Sequence, residues 1–266
     1  MRHEFLLLGC GTSTGVPLPG CECAVCESTN PRNFRNRTSG LITFESGESL
    51  LIDAGPDLRH QCLNHKVRRV DSVLYTHSHA DHILGTDDLR AFNFTNKNRI
   101  TCYGTAETFH GIKTAFPYIF SPNERYLGGL VAQLDVVEIP SEGEMSVHGA
   151  MVKYFPLPHG NVTVTGFRMG ELGYATDCKG LSPQAREVLQ GVKVLFLDGL
   201  RWEDHNTHNS IHEAIEISKS LQVETTYLIH TTHSIEYDEV SRKLPTGIKL
   251  GYDGLRVEFE DYSTAR

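Results

Sequence analysis

No run in the 266-residue chain approaches the roughly 18 apolar residues that a membrane-crossing helix needs. The opening run Phe5-Leu6-Leu7-Leu8 is too short for the apolar centre of a signal peptide and passes straight into glycines. A cytoplasmic location and no membrane partner are therefore expected. The chain also lacks a basic excess. Its 25 Lys and Arg against 33 Asp and Glu leave a net charge of -8, which argues against a broad nucleic-acid surface while leaving room for a local basic patch. A disulfide framework is missing too: seven cysteines is an odd number, and only Cys21, Cys23 and Cys26 stand together. Clustered thiols in a reducing compartment more often hold metal or do redox chemistry. Cys10, Cys62, Cys102 and Cys178 read as small buried hydrophobes. With no repeat, low-complexity tract or linker, the expectation is one domain over residues 1–266.

What the chain does contain is Thr76-His77-Ser78-His79-Ala80-Asp81-His82, directly after the apolar run Val73-Leu74-Tyr75. Neutral imidazoles and an ionised carboxylate are costly to bury without partners, and a cation removes that cost. At a strand end His77 and His79, two residues apart, point the same way, and a turn into a helix brings Asp81 and His82 round to face them.

Read in order, residues 3–8 form a first strand, followed by the loop Gly9-Cys10-Gly11-Thr12-Ser13-Thr14-Gly15. That loop lacks a P-loop lysine and dinucleotide-fingerprint spacing, so a lining role beside the metal site is expected rather than nucleotide binding. Cys21, Cys23 and Cys26 lie in a loop at about 19–37 with few core residues of its own. Three thiolates there supply most of a structural zinc shell, with a fourth ligand from elsewhere. Residues 40–45 and 49–53 read as a hairpin, 57–66 as a helix and 70–75 as the strand that delivers the His cluster. An aromatic-rich stretch spans 92–126, half of it core, with Phe116-Pro117-Tyr118-Ile119-Phe120 as either core or a pocket wall. Strands follow over 131–139, 151–157, 163–169, 172–175, 192–197 and 225–229, with helices at 183–189 and 211–221.

A single His at a strand end is usually just a satisfied polar residue. Here His77, His159, Asp177 and His230 all close apolar strands, so strands packed in register would collect them on one rim. Two cations can share the seven ligands: His77, His79 and His159 on one, Asp81, His82 and His230 on the other, and Asp177 bridging.

His77-x-His79-x-Asp81-His82, followed by His159, Asp177 and His230, resembles the metallo-β-lactamase superfamily of binuclear hydrolases across the chain. The resemblance implies an α/β fold, an αββα sandwich of two mixed β-sheets flanked by helices, with the active site at one edge. Within the superfamily the chain is most similar to the PhnP-type cyclic phosphodiesterases and their relatives of unassigned substrate. Gly9-x-Gly11-Thr12 leads to Gly20-Cys21-x-Cys23-x-x-Cys26, and His230-x-x-His233 follows late in the chain. By resemblance His233 is the fourth ligand of the structural zinc, and His208 a histidine that assists at the phosphate. His205 and His212 lie close to His208 in sequence and compete for that role.

The implied cofactors are two divalent ions, zinc or manganese, in the active site and one structural zinc. Such a centre turns a bridging water into hydroxide near neutral pH, which suits in-line attack on a small or cyclic phosphodiester. Asp81 would orient the nucleophile or take its proton, and His208 would steady the phosphate or protonate the leaving oxygen. A tRNase Z-like ribonuclease, with nucleic acid as substrate only, and a thioester or lactone hydrolase are the alternatives. The sequence leaves the oligomeric state open, a homodimer included.

Overall fold

The computed structural model describes residues 1–120 and 130–262, so Tyr126 of the aromatic stretch lies outside the described residues. Fourteen strands form two seven-stranded mixed sheets. The first sheet takes β1 (Arg2–Gly9), β2 (Ser39–Thr43), β3 (Ser49–Ile52), β4 (Ser72–Leu74), β5 (Ile100–Gly104) and β6 (Leu134–Glu138), with the last strand of the chain, β14 (Arg256–Glu260), beside β1. The second runs in reverse order from β13 (Ile248–Leu250) through β12 (Thr225–Ile229), β11 (Val194–Asp198), β10 (Leu172–Ala175), β9 (Val162–Met169) and β8 (Ala150–His159) to β7 (Gly143–Val147).

Period-2 alternation with both faces apolar divides the side chains between layers. On β1, Phe5 and Leu7 point into the core between the sheets, while Leu6 and Leu8 point outward under helices. On β11, Phe196 faces inward while Leu195 and Leu197 face outward. The first sheet's outer face is covered by α1 (Leu58–Asn64), α2 (Ala80–Ile83), α3 (Arg90–Asn96), α4 (Ala106–Ala115) and α5 (Pro117–Phe120); the second's by α6 (Pro183–Leu189), α7 (Ile211–Leu221) and α8 (Tyr237–Lys243). The result is the expected αββα sandwich. Each fully buried Leu, Ile or Phe contributes about 1.5–3 kcal/mol on transfer from water. Phe116 and Ile119 are buried in the outer core on the first sheet, so that part of the aromatic stretch is core.

Some elements depart from the expected bounds, and others were not expected. The strand over 151–157 closes on His159, as expected, with Pro156 and Pro158 inside it. Its edge partner β7 pairs only with Ala150 to Tyr154, and beyond that β8 bonds β9 alone, so the prolines interrupt no second ladder. The strand over 131–139 shrinks to β6. The short strands β7, β13 and β14 were not anticipated, since in β7 only Val147 is buried and no alternation shows.

Each sheet contains a parallel run, β3-β4-β5-β6 in one and β10-β11-β12-β13 in the other, whose C-terminal ends lie on one rim. The rim loops are pinned across the sandwich. Thr165 on β9 donates its backbone N–H to the carbonyl of Thr76 at 2.8 Å, and Ala54 N–H bonds the His82 carbonyl at 2.9 Å. Gly55 and Gly85 allow this closeness: a Cβ at Gly55 would sit 2.1 Å from the Asp81 carbonyl oxygen, and one at Gly85 2.0 Å from that of Gly55. Both obstacles are backbone and cannot swing aside. Gly85→Ala is expected to cost about 2 kcal/mol or more by overpacking, read as a lower urea midpoint; an unchanged midpoint would show that the α2 loop yields freely.

Candidate metal centre

The segment after β4 reaches α2 through His79, which occupies the N-cap position in extended conformation, so the chain bends between His77 and Asp81. The rings of His77 and His79 lie 4.5 Å apart and those of His77 and His82 4.2 Å apart, centre to centre. His159, from the end of β8, comes within 5.6 Å of the His77 ring and 5.2 Å of the His79 ring. Asp177, after β10, and His230, after β12, complete the cluster, with His230 Nε2 at 3.2 Å and His82 Nε2 at 3.4 Å from Asp177 carboxylate oxygens. Asp81 lies 3.2 Å from His82 Nε2.

These side chains fall into two groups whose ligand atoms are all within 4.8 Å of each other: His77, His79 and His159, and Asp81, His82, Asp177 and His230. Asp177 also meets that limit with His159 and His208, which sets it between the groups.

Most of the imidazoles are aimed by a partner on the far nitrogen. His82 Nδ1 donates to Asp53 Oδ2 at 2.7 Å, His159 Nδ1 to the Thr207 carbonyl at 2.9 Å, and His208 Nδ1 to Asp198 Oδ2 at 2.8 Å. Carboxylates and carbonyls only accept, so in each of these rings Nδ1 is the donor to the scaffold and Nε2 is the nitrogen turned to the centre. Thr76 Oγ1 donates to Asp53 at 2.8 Å and takes the Nδ1 proton of His77 at 3.0 Å.

The Nε2 atoms of His77 and His82 and both ring nitrogens of His230 are buried without a hydrogen-bond partner among the described residues. That arrangement is expensive unless something binds them. Burial drives the His77 imidazole well below its usual range. Burial also opposes the charged form of His82, yet the carboxylates of Asp177, Asp81 and Asp53 outweigh it and hold that ring well above its usual range. Burial likewise disfavours ionised Asp177, but His230 and His82 push its carboxyl down. Without a cation the two buried carboxylates rely on protons held by these rings. The donor set, imidazole nitrogen and carboxylate oxygen with unpartnered lone pairs, fits divalent metal ions.

His208 is the histidine of its loop that faces the cluster. It is buried, with its ring 4.7 Å from both His159 and His230. His205 stands behind it, rings 5.1 Å apart, and His212 lies exposed on α7 against Trp202.

Asp53 and Asp198 stand behind the cluster and were not among the candidate site residues of the sequence. Both are fully buried. Asp53 gathers Thr76 N, Thr76 Oγ1 and His82; Asp198 gathers His208 and, at 2.8 Å, the N–H of Cys178 beside Asp177. The signal was available: each closes an apolar strand, Leu50-Leu51-Ile52-Asp53 and Leu195-Phe196-Leu197-Asp198, as His230 and Asp177 do.

A second, separate site holds Cys21, Cys23, Cys26 and His233. The three sulfurs lie 3.4, 3.5 and 3.6 Å from His233 Nδ1. A tetrahedral zinc with Zn–S of about 2.3 Å and Zn–N of about 2.0 Å separates sulfur from nitrogen by about 3.5 Å. Hydrogen bonds from the Cys26 backbone and His233 pull the Cys23 thiol down to about 6, toward the thiolate a metal requires. In the glycine loop, Gly11 bridges to both Arg37 and Thr231, next to His230.

The chain matches the beta-lactamase superfamily domain over residues 48–231. It is 34% identical over 96% of its length to an octanoyltransferase of Porphyromonas gingivalis, of which it spans 51%, about half. It is 24% identical to a ribonuclease Z of Clostridium kluyveri, covering 87% of this chain and 89% of that protein. The crystal structure of a diphosphatase from the PhnP family superposes with a TM-score of 0.90 at 37% identity, covering 98% of each chain. No helix among the described residues is long and apolar enough to cross a membrane.

Asp53→Ala, which removes the acceptor behind His82 and Thr76, is expected to lower active-site metal content or affinity about 10- to 100-fold, measured by competition with a chelating dye. Retained affinity would assign Asp53 to folding alone. Cys23→Ala is expected to lose one zinc per chain and several degrees of melting temperature, with a smaller effect on turnover; an unchanged melting temperature and zinc content would remove the structural-zinc assignment. The family model, the fold and the 37% identical neighbour agree, and the chain belongs to the metallo-β-lactamase superfamily and within it to the PhnP family.

Proposed function

We propose that this metallo-β-lactamase-fold hydrolase cleaves small or cyclic phosphodiesters at a binuclear centre built on one αββα domain. The observation that carries the reading is the pair of ligand groups meeting at Asp177. In this reading His77, His79 and His159 hold one cation, Asp81, His82 and His230 the other, and Asp177 both. Bound divalent ions, zinc or manganese, supply Lewis acidity that activates a water and offsets charge on phosphoryl oxygens.

The chain's own residues do the rest. Asp81 orients the attacking water and takes its proton. His208, held by Asp198 so that Nε2 points into the cluster, donates to a phosphoryl or leaving-group oxygen, where developing charge strengthens the bond. The nearly parallel His208 and His230 rings, 12° apart, keep that nitrogen beside the centre.

Reaction at phosphorus is supported by the diphosphatase and ribonuclease names of the relatives, and the diphosphatase is similar over the whole chain. A diphosphate bond is therefore the near variant of the same chemistry. The acidic balance weighs against an RNA substrate. The octanoyltransferase name, borne by a protein twice as long, favours a second reading as a thioester hydrolase.

A panel of bis(p-nitrophenyl) phosphate, a 2′,3′-cyclic nucleotide, a nucleoside diphosphate, precursor tRNA and an acyl thioester, run with metal analysis, separates these. Diester turnover is expected to exceed thioester turnover at least about 100-fold; the reverse order would overturn the reading. Asp177→Ala is expected to abolish hydrolysis in a folded protein, and wild-type rates there would sink the shared-ligand assignment. His208→Ala should lower kcat about 10²- to 10⁴-fold, the usual range for a general acid, with metal content unchanged. A parallel loss of metal would make His208 a ligand instead.

A further inference from the structure

On the outer face, between α1 and α3, lies a cavity of about 500 Å³ that shares no residue with either metal cluster. Its volume falls within the range of small-molecule pockets, about 300–1,000 Å³. The floor is apolar: Leu58 and Cys62 are buried, and Val67 and Phe92 pack against the same outer core. Burial pushes the Cys62 thiol up to about 12, so the floor carries no charge.

The rim has the opposite character from the chain as a whole. Arg59, Lys66, Arg68 and Arg90 line it against a single carboxylate, Asp88, in a protein whose net charge is -8. Arg90 is partly answered by Asp87 at 3.4 Å. Arg59, Lys66 and Arg68 make no ion pair among the described residues, although neighbouring Arg69 pairs with Asp71 and Arg256 with Glu4. Two large apolar side chains also stand exposed here, Leu63 at 61% and Phe94 at 53%.

We propose that this cavity is a second ligand site, for an amphipathic anion with an apolar chain or ring ending in a phosphate or carboxylate. Three unanswered cations in one place match a single anionic head. A long polyanion fits less well, because Arg69 and Arg256, which would extend the track, are already neutralised. Leu63 and Phe94 then lie along the apolar part of the ligand. A protein partner fits less well again, since standard interfaces bury about 800 Å² per side and the apolar exposure at this cavity comes from two side chains between two seven-residue helices.

Titration calorimetry with decyl phosphate, below its micelle threshold, tests the site on the metal-loaded protein. Binding is expected with micromolar Kd. Inorganic phosphate and decyltrimethylammonium should bind at least about tenfold more weakly, as should decyl phosphate to Arg59→Glu/Arg68→Glu, because the apolar chain and the charge-assisted bonds to the head each contribute. Leu63→Asp, at an exposed position that should leave folding intact, is expected to weaken decyl phosphate while sparing hydrolysis. Chelation that strips the active-site metal should leave Kd unchanged. No heat at millimolar ligand, equal affinity in both variants, or loss of binding on chelation would each overturn the proposal. So would sedimentation showing a wild-type dimer that Leu63→Asp dissociates, since the face would then be covered by a second copy.

Discussion

The rim of this sandwich depends on two buried aspartates, one from each sheet. Asp53 ends β3 and Asp198 ends β11, and each gathers donors from a neighbouring strand-end loop. A carboxylate with no exposure is costly to bury unless donors meet it. Asp53 accepts on both oxygens, whereas Asp198 takes both its donors on Oδ2 and leaves Oδ1 without a partner among the described residues; in each case the bonds tie the loops together. Asp53 thereby sets His82 and, through Thr76, His77; Asp198 sets His208 and the backbone beside Asp177. The orientation of the His82 and His208 rings and the position of the loops that carry them are consequences of the same two desolvated groups.

Positioning also carries a backbone cost. Asp53, Asp177 and His230 take φ values of 60°, 48° and 59°, the left-handed region that side chains other than glycine rarely occupy. Each costs about 1 kcal/mol or more. All three stand where a parallel strand stops and the chain must turn sharply while keeping its side chain over the rim. Asp53 recovers part of that cost through three hydrogen bonds. Asp177 and His230 face each other at 3.2 Å; burial works against both of their charged forms, and each offsets that cost for the other.

Much of this was legible because chemistry and periodicity coincide. The dense cluster at 77–82 and the polar residues closing apolar strands marked every member of the two ligand groups, and both-sided burial made the strands conspicuous as continuous apolar runs. What escaped did so for physical reasons. Asp53 and Asp198 obey the strand-closing rule but sit one position behind the centre, and sequence order does not separate a residue that faces a site from one that supports it. The choice among His205, His208 and His212 is likewise a matter of direction: only a ring anchored on Asp198 turns toward His159 and His230. Edge strands such as β7, solvated on most sides, have no alternation to read.

The cysteine cluster and the metal centre are joined by the three steps from His230 to His233. Thr231 N–H bonds the Cys10 carbonyl at 3.0 Å and its carbonyl accepts from Thr12 at 3.2 Å, so the glycine loop holds the residue next to His230. The carbonyls of Thr232 and Ile235 both accept from the buried guanidinium of Arg35, which belongs to the cysteine-bearing loop. That guanidinium is desolvated and answered mainly by carbonyls, an arrangement stable only while the loop stays folded on the 232–237 segment. Cys21, Cys23, Cys26 and His233, from both segments, converge on one point beside it. The cysteine-bearing loop and the glycine loop thus reach the residues following His230 through backbone contacts alone.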